Sequence, residues 1–153
     1  MLIPLWQRLI GAFIYMLPWS DALPFGTSLF IQFPLLQWIA IPAFPLIILE
    51  RLIPLGSLIL FFVLFLFVIR NPKVPYFIRF NTLQALLLDI TIILISYAFR
   101  IILQPLGSGL MMRTFSSTIL VGVLTIIIFT ISESLKGNEA DLPLFSEAVK
   151  MQL

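Results

Sequence analysis

Leu52 to Ile69 runs without a single charge, and its centre, LILFFVLFLFVI, carries nothing polar at all. Two further stretches behave alike: Phe80 to Phe99 holds one acid, Asp89, and closes at Arg100. Thr114 to Ser132 is uncharged between Arg113 and Glu133. A hydrocarbon core about 30 Å thick takes roughly 20 mainly apolar residues as a helix, and each run fits that length. No water-covered surface can be made from what remains. Charged residues are only 10% of the 153, where a soluble domain carries about a quarter. Water-soluble enzyme readings are excluded from the outset.

The first eighty residues are less regular. Arg8 is followed by LIGAFIYMLPWS and then Asp21. With Arg8 snorkelling to the interface, this is expected to be a short span. A secretory signal is the rival, but Pro18-Trp19-Ser20-Asp21 lacks a small-x-small cleavage pattern, so a retained first helix is favoured. Ala22 to Leu49 is uncharged but carries prolines 24, 34, 42 and 45. Each removes a backbone donor and crowds the preceding turn, so an interfacial or partly re-entrant segment is expected, with a fifth span as runner-up. Trp38, Gln32 and Gln37 suit a headgroup layer. The predicted fold is therefore all-α, a polytopic membrane protein with four transmembrane helices and a proline-broken interfacial segment. Its spans fall at about 8–23, 52–70, 80–100 and 113–133, the interfacial segment at about 24–50, and an aqueous tail at 134–153, in a single membrane domain 1–153. Ser146 is expected to cap a short surface helix in that tail.

The bases favour this count. Four spans place Arg8, Arg70, Lys73, Arg79, Lys136 and Lys150 on one side, against Arg51, Arg100 and Arg113 on the other, six to three. Five spans split the same residues five to four and erase the signal. The positive-inside rule then puts both termini on the cytoplasmic side or its plastid equivalent.

The chain has no cysteine and no histidine. That removes disulfides, thiolate nucleophiles, the commonest metal ligand and the commonest neutral-pH base. No Walker loop, zincin motif, nucleophile elbow or dinucleotide fingerprint is present. A net charge of +2 is too small and dispersed for nucleic acid. No enzyme, metal or cofactor is predicted; lipid or pigment contacts stay open, since Phe-rich surfaces accommodate both.

Asp89 is the leading candidate residue, about 14 Å from either end of its span at 1.5 Å per residue. An acid at that depth must face protein or water. At about 100° per residue, Asn81, Asp89, Ser96 and Arg100 share a broad face, with Gln84 at its edge. This polar stripe is either interhelical glue, the favoured reading, or a hydrated path. Thr118, Gly122 and Thr125 form a small-residue face for helix packing, with a substrate groove as the alternative. Arg70, Lys73 and Arg79 gather in one loop, as an orientation determinant beside anionic headgroups or as a docking site for an acidic partner.

One block carries a specific resemblance. Arg79-Phe80-Asn81-Thr82-Leu83-Gln84-Ala85, leading into Leu86-Leu87-Leu88-Asp89-Ile90, resembles the twenty-kilodalton subunit family of the translocon at the inner envelope of chloroplasts, with its cyanobacterial and plastid-encoded relatives. Phe30 to Pro34, Phe61 to Asn71 and the tail from Pro143 to Val149 with Met151-Gln152 are similar too, so the likeness covers most of the chain from Arg8 onward. It implies a four-helix membrane protein with both termini stromal or cytoplasmic, and a pore-forming or pore-associated role in moving preproteins. Other membrane subunits, or further copies of the chain, are the implied partners. With Met1 so close to the first span and no Ser- and Arg-rich transit peptide, a mature form, a plastid-encoded copy or a cyanobacterial relative is expected. The rival functions are an accessory or assembly subunit of a larger membrane complex, photosynthetic or other, and a proton-linked carrier using Asp89. The absence of paired internal repeats weighs against a carrier.

Overall fold

A computed structural model describes residues 2–107, 109–143 and 145–153; Met1, and Leu144 of the tail motif, lie outside the described residues. Among the described residues the chain is all helical, with no strand. It opens with α1 (Leu5–Phe13) and α2 (Met16–Ala22), nearly continuous but kinked between them. Pro18 causes the kink, since it cannot donate to the Ile14 carbonyl one turn back. Leu17 N–H takes that carbonyl instead, at 3.1 Å. The expected single span at 8–23 is thus corrected to two short helices, neither long enough to cross alone.

A 3₁₀ turn (Leu23–Gly26) and α3 (Thr27–Gln32) lead to a 3₁₀ helix (Pro34–Ala43) that runs directly into α4 (Phe44–Leu52). Together, Pro34–Leu52 is long and apolar enough to cross a membrane, where an interfacial segment was expected. The prolines explain the correction. Pro34 and Pro45 stand in the first turn of their helices, where no donor is needed, and Pro42 sits inside the 3₁₀ stretch, whose bonds run three residues back instead of four.

The turn after α4 corrects the next expectation. Ile53 is extended ahead of Pro54, and Leu55 sits at φ 56°, in the left-handed region. Gly56 completes the reversal, because a Cβ there would run into the Glu50 backbone carbonyl. The helix therefore starts only at α5 (Gly56–Leu64) and ends in a π turn (Phe65–Ile69), giving 14 residues instead of the full span expected at 52–70. At about 1.5 Å per residue that is about 21 Å, short of the hydrocarbon thickness.

The two remaining long helices are α6 (Tyr76–Ile102) and α7 (Leu110–Lys136). With Pro34–Leu52 they make, among the described residues, three helices long and apolar enough to cross a membrane, not four. α6 begins just after Pro75, and its continuation through Gln104–Leu106 is a 3₁₀ turn around Pro105. α7 ends in a Schellman motif: Gly137 sits at φ 83°, its N–H bonds Ser134 O at 3.0 Å, and Asn138 N–H bonds Glu133 O at 2.9 Å.

The core is built around the kinked N-terminal pair. α1 packs along both α6 and α7, and α2 lies chiefly on α6. Tyr15, Trp19, Ala22 and Phe25 meet Ala85, Leu88 and Ile92 of α6 and Leu120, Val123 and Ile127 of α7. Trp19 also donates its indole N–H to Ile39 O at 2.9 Å, tying the 3₁₀ helix to this centre. The tail corrects one further expectation. α8 (Phe145–Gln152) is docked, not free in water: Ala140 and Val149 are fully buried, and Val149 joins Leu17, Phe80 and Leu86 in a second apolar cluster.

Candidate functional site

α6 carries the polar stripe through the protein at three levels. Counting from Tyr76 at about 1.5 Å per residue, Asn81 lies about 8 Å along the axis, Asp89 about 20 Å and Arg100 about 36 Å. The structure places these levels in three different environments.

At the first level Asn81 and Gln84 are fully buried, and so are Tyr15 and Ser134. Tyr15 Oη donates to Asn81 Oδ1 at 3.0 Å, and Ser134 Oγ donates to the same oxygen at 2.9 Å. Asn81 Nδ2 donates to Phe77 O, one turn back in α6. Gln84 Nε2 donates to Tyr15 Oη and to Ala140 O, both at 3.1 Å. Ser146 Oγ lies 3.1 Å from both Gln84 Oε1 and Ala140 O, and accepts from Leu142 N–H at 2.7 Å. Both protons of Gln84 Nε2 and the Tyr15 proton are thereby used. The network joins α1's end, α6, α7 and the tail, and each of its polar side-chain atoms has at least one partner, as a low-dielectric site demands.

At the second level Asp89 is buried, with 6% of its surface exposed. Asp21 of α2 comes within hydrogen-bonding reach of its carboxyl, and Glu50 of α4 is near enough to act as a like charge. Asp89 Oδ1 and Glu50 Oε1 are buried without a hydrogen-bond partner among the described residues. Three acids from three helices thus converge at mid-depth.

At the third level Ser96 and Arg100 line a cavity of about 600 Å³ shared with Arg113 at the start of α7. Phe25 and Phe99 stand edge to face at its wall, with ring centroids 5.6 Å apart. Ser116 Oγ donates to Phe25 O at 2.6 Å, fixing α7 to the 3₁₀ turn beside it.

The other expected residues are scattered. Thr118, Gly122 and Thr125 lie on the exposed face of α7, and a Cβ on Gly122 would meet nothing within 4 Å. The threonine hydroxyls bond back into their own helix, Thr118 to Thr114 O and Thr125 to Val121 O, and so need no partner. The buried face of α7 is instead Leu120, Val123, Ile127, Thr130 and Ser134. In the basic loop, Arg79 Nε donates to Ile69 O at 2.9 Å and caps the π turn, while Arg70 lies over the Phe65 ring at 5.3 Å. Lys73 is exposed.

Sequence reasoning missed Tyr15, Ser134, Asp21 and Glu50. For Tyr15 a signal existed, since its hydroxyl and the Trp19 indole N–H are the two polar side-chain groups between Arg8 and Ser20. For Ser134 the signal was the 120, 123, 127, 130, 134 helical period, which competes with the small-residue face one step round the helix.

The chain matches the family described as chloroplast import apparatus, Tic20-like, over residues 4–149. It is 38% identical over 148 residues to a Tic20 family protein of Synechocystis sp., covering 96% of this chain and 92% of that one. It is 31% identical over 148 residues to Protein TIC 20-v, chloroplastic, of Arabidopsis thaliana, covering 96% and 71%. Against the Tic20 family protein Ycf60 of Gracilaria tenuistipitata var. liui, identity is 31% over 154 residues, covering 96% and 75%.

Proposed function

The chain belongs to the Tic20 family, and from that premise we propose that it is a non-catalytic membrane subunit of a protein translocon, pore-forming or pore-associated. The observation that carries this reading is the extent of the family match, which takes in α1 to α7 complete. Its setting is the chloroplast inner envelope in a plastid, or the plasma or thylakoid membrane in a cyanobacterium. Preproteins, other membrane subunits and further copies of the chain are its partners, and 1–153 acts as one membrane domain.

In this reading the polar stripe works by position. Asn81 and Gln84 serve as glue, holding α6 to α1, α7 and the tail through bonds that lipid cannot compete for. Asp89 lines a polar level at mid-depth. The exposed Thr118, Gly122 and Thr125 face is available for close approach by a neighbouring helix. We place both termini on the stromal or cytoplasmic side. Gly137 lies against Arg8, so the start of α1 and the end of α7 share one end of the bundle. Arg79 joins Ile69 at that same end, and the tail docks there on α6. Arg8, Arg70, Arg79 and Lys136 thus gather on one side, as the positive-inside rule requires.

The test is affinity purification of the tagged chain from its own membranes in a mild detergent, with co-purifying proteins identified by mass spectrometry. Preproteins and other translocon subunits are the expected partners. An eluate of photosynthetic or respiratory subunits without preproteins would overturn the reading and place the chain among assembly subunits.

A further inference from the structure

The cavity at the far end of α6 has a chemistry that neither protein translocation nor helix packing uses. Arg100 and Arg113 reach it from two helices, and among the described residues neither guanidinium has a carboxylate within 4 Å. Beside them stand neutral donors, Ser96 and Gln104, while Phe25 and Phe99 give an apolar wall. The volume of about 600 Å³ falls within the usual range for a small-molecule site. No acid lines it.

We propose that this cavity binds the phosphate headgroup of an anionic membrane lipid, with Arg100 and Arg113 holding the phosphodiester and Ser96 and Gln104 donating around it. Two guanidiniums present forked donors that match phosphate oxygens, and unpaired arginines at a membrane boundary gain most from a fixed anion. The surroundings select a lipid over an acidic protein segment. Ile101, Ile102, Leu110 and Met111, on the two chain segments that carry the arginines, are 61–81% exposed. They offer acyl chains exposed apolar surface on the segments that flank the arginines, which an acidic peptide could not use. The lipid would tie the end of α6 to the start of α7 through its charge, across a loop where the chain supplies no ion pair of its own among the described residues. The proposal is independent of the translocon role.

The test is native mass spectrometry of the full chain in a neutral detergent, titrated with phosphatidylglycerol and separately with phosphatidylcholine. One phosphatidylglycerol per chain is expected to be retained, at least about tenfold more tightly than phosphatidylcholine. R100Q/R113Q is expected to abolish that preference, while R51Q, outside the cavity, leaves it intact. R100K/R113K keeps the charge but loses the forked donors and should retain only part of the preference, between the wild type and R100Q/R113Q, while size-exclusion profiles compared for all variants separate lost binding from lost folding. An unchanged preference in R100Q/R113Q would overturn the proposal. So would a thermal midpoint raised by millimolar inorganic phosphate as far as by phosphatidylglycerol, which would make the cavity a site for free anions. Crosslinks from the cavity to an acidic segment of another protein, undiminished by added phosphatidylglycerol, would overturn it too.

Discussion

Tyr15 and Asn81 give the sharpest test of the buried network, because the outcome of removing one depends on whether the other is present. Asn81→Ala deletes the oxygen that accepts from both Tyr15 Oη and Ser134 Oγ. Ser134 can rotate its proton to the Thr130 carbonyl one turn back in its own helix, as membrane serines commonly do. Tyr15 has no such alternative. Its ring is fixed in the core and its remaining contact, Gln84 Nε2, is itself a donor. One fully buried hydroxyl is therefore left without an acceptor, at about 1–3 kcal/mol. The lost bond from Nδ2 to Phe77 O adds little, since that carbonyl keeps its helical partner. Asn81→Ala should thus cost about 2–3 kcal/mol. Tyr15→Phe should cost only about 1 kcal/mol, because Asn81 keeps Ser134 and just one Gln84 proton loses its acceptor. In the double variant the stranded hydroxyl no longer exists. The pair should cost about 1–2 kcal/mol less than the sum of the singles. The assay is reversible unfolding in mixed micelles, titrated with sodium dodecyl sulfate, on all four proteins. Additive single costs would show that Tyr15 and Asn81 are not coupled, and the network as drawn would be wrong.

Other expectations follow from the same geometry. Gln84→Leu should release the tail before it unfolds the bundle, since Ala140 O and Ser146 Oγ both lean on Gln84; about 1 kcal/mol of lost docking predicts roughly fivefold faster tryptic cleavage at Lys150. Gly137→Ala forces an ordinary residue to φ 83° and brings a Cβ to 3.0 Å from Arg8 Nε, so it should lower stability by about 1–2 kcal/mol and the thermal midpoint with it. Asp89→Asn keeps the side chain's size and should leave assembly intact in the affinity purification. Loss of assembly in that variant would show that the carboxyl itself holds the helices together.

Much of this architecture was legible in the residues. Asp89 and its two apolar flanks give α6 its length and its need for protein cover, and the uncharged run between Arg113 and Glu133 gives the body of α7, which extends about a turn beyond it to Leu110 and Lys136. What was hidden depends on partners far away in sequence. Nothing near Ser146 indicates that Gln84, 62 residues earlier, lies within hydrogen-bonding distance of its hydroxyl and draws the tail out of water. The prolines misled in both directions. A proline count forbids one regular α-helix over 34–52, but Pro34 and Pro45 open successive helical segments and Pro42 lies inside the 3₁₀ one. Conversely, the Leu52–Ile69 run looks unbroken by hydropathy, yet Pro54, Leu55 and Gly56 make a reversal that hydropathy does not register.

The stripe on α6 shows why a shared helical face does not imply a shared role. Asn81, Asp89 and Arg100 follow one another along one helix, but what each can do is set by the neighbour at its depth. Hydroxyls and backbone groups surround Asn81 and occupy its oxygen and one of its two amide protons, so at that level a water-filled path would have to break bonds that are already made. Carboxylates face Asp89 and leave oxygens unpartnered, so that level gains from any donor that reaches it. At Arg100 a second arginine leaves the charge unbalanced, which favours an anion from outside the chain. A continuous polar path through the single chain would have to pass all three, and the closed level is the obstacle. If preproteins do cross beside this protein, the passage belongs on the outer faces of the long helices, between this chain and its neighbours, with the Asn81 network keeping the bundle shut.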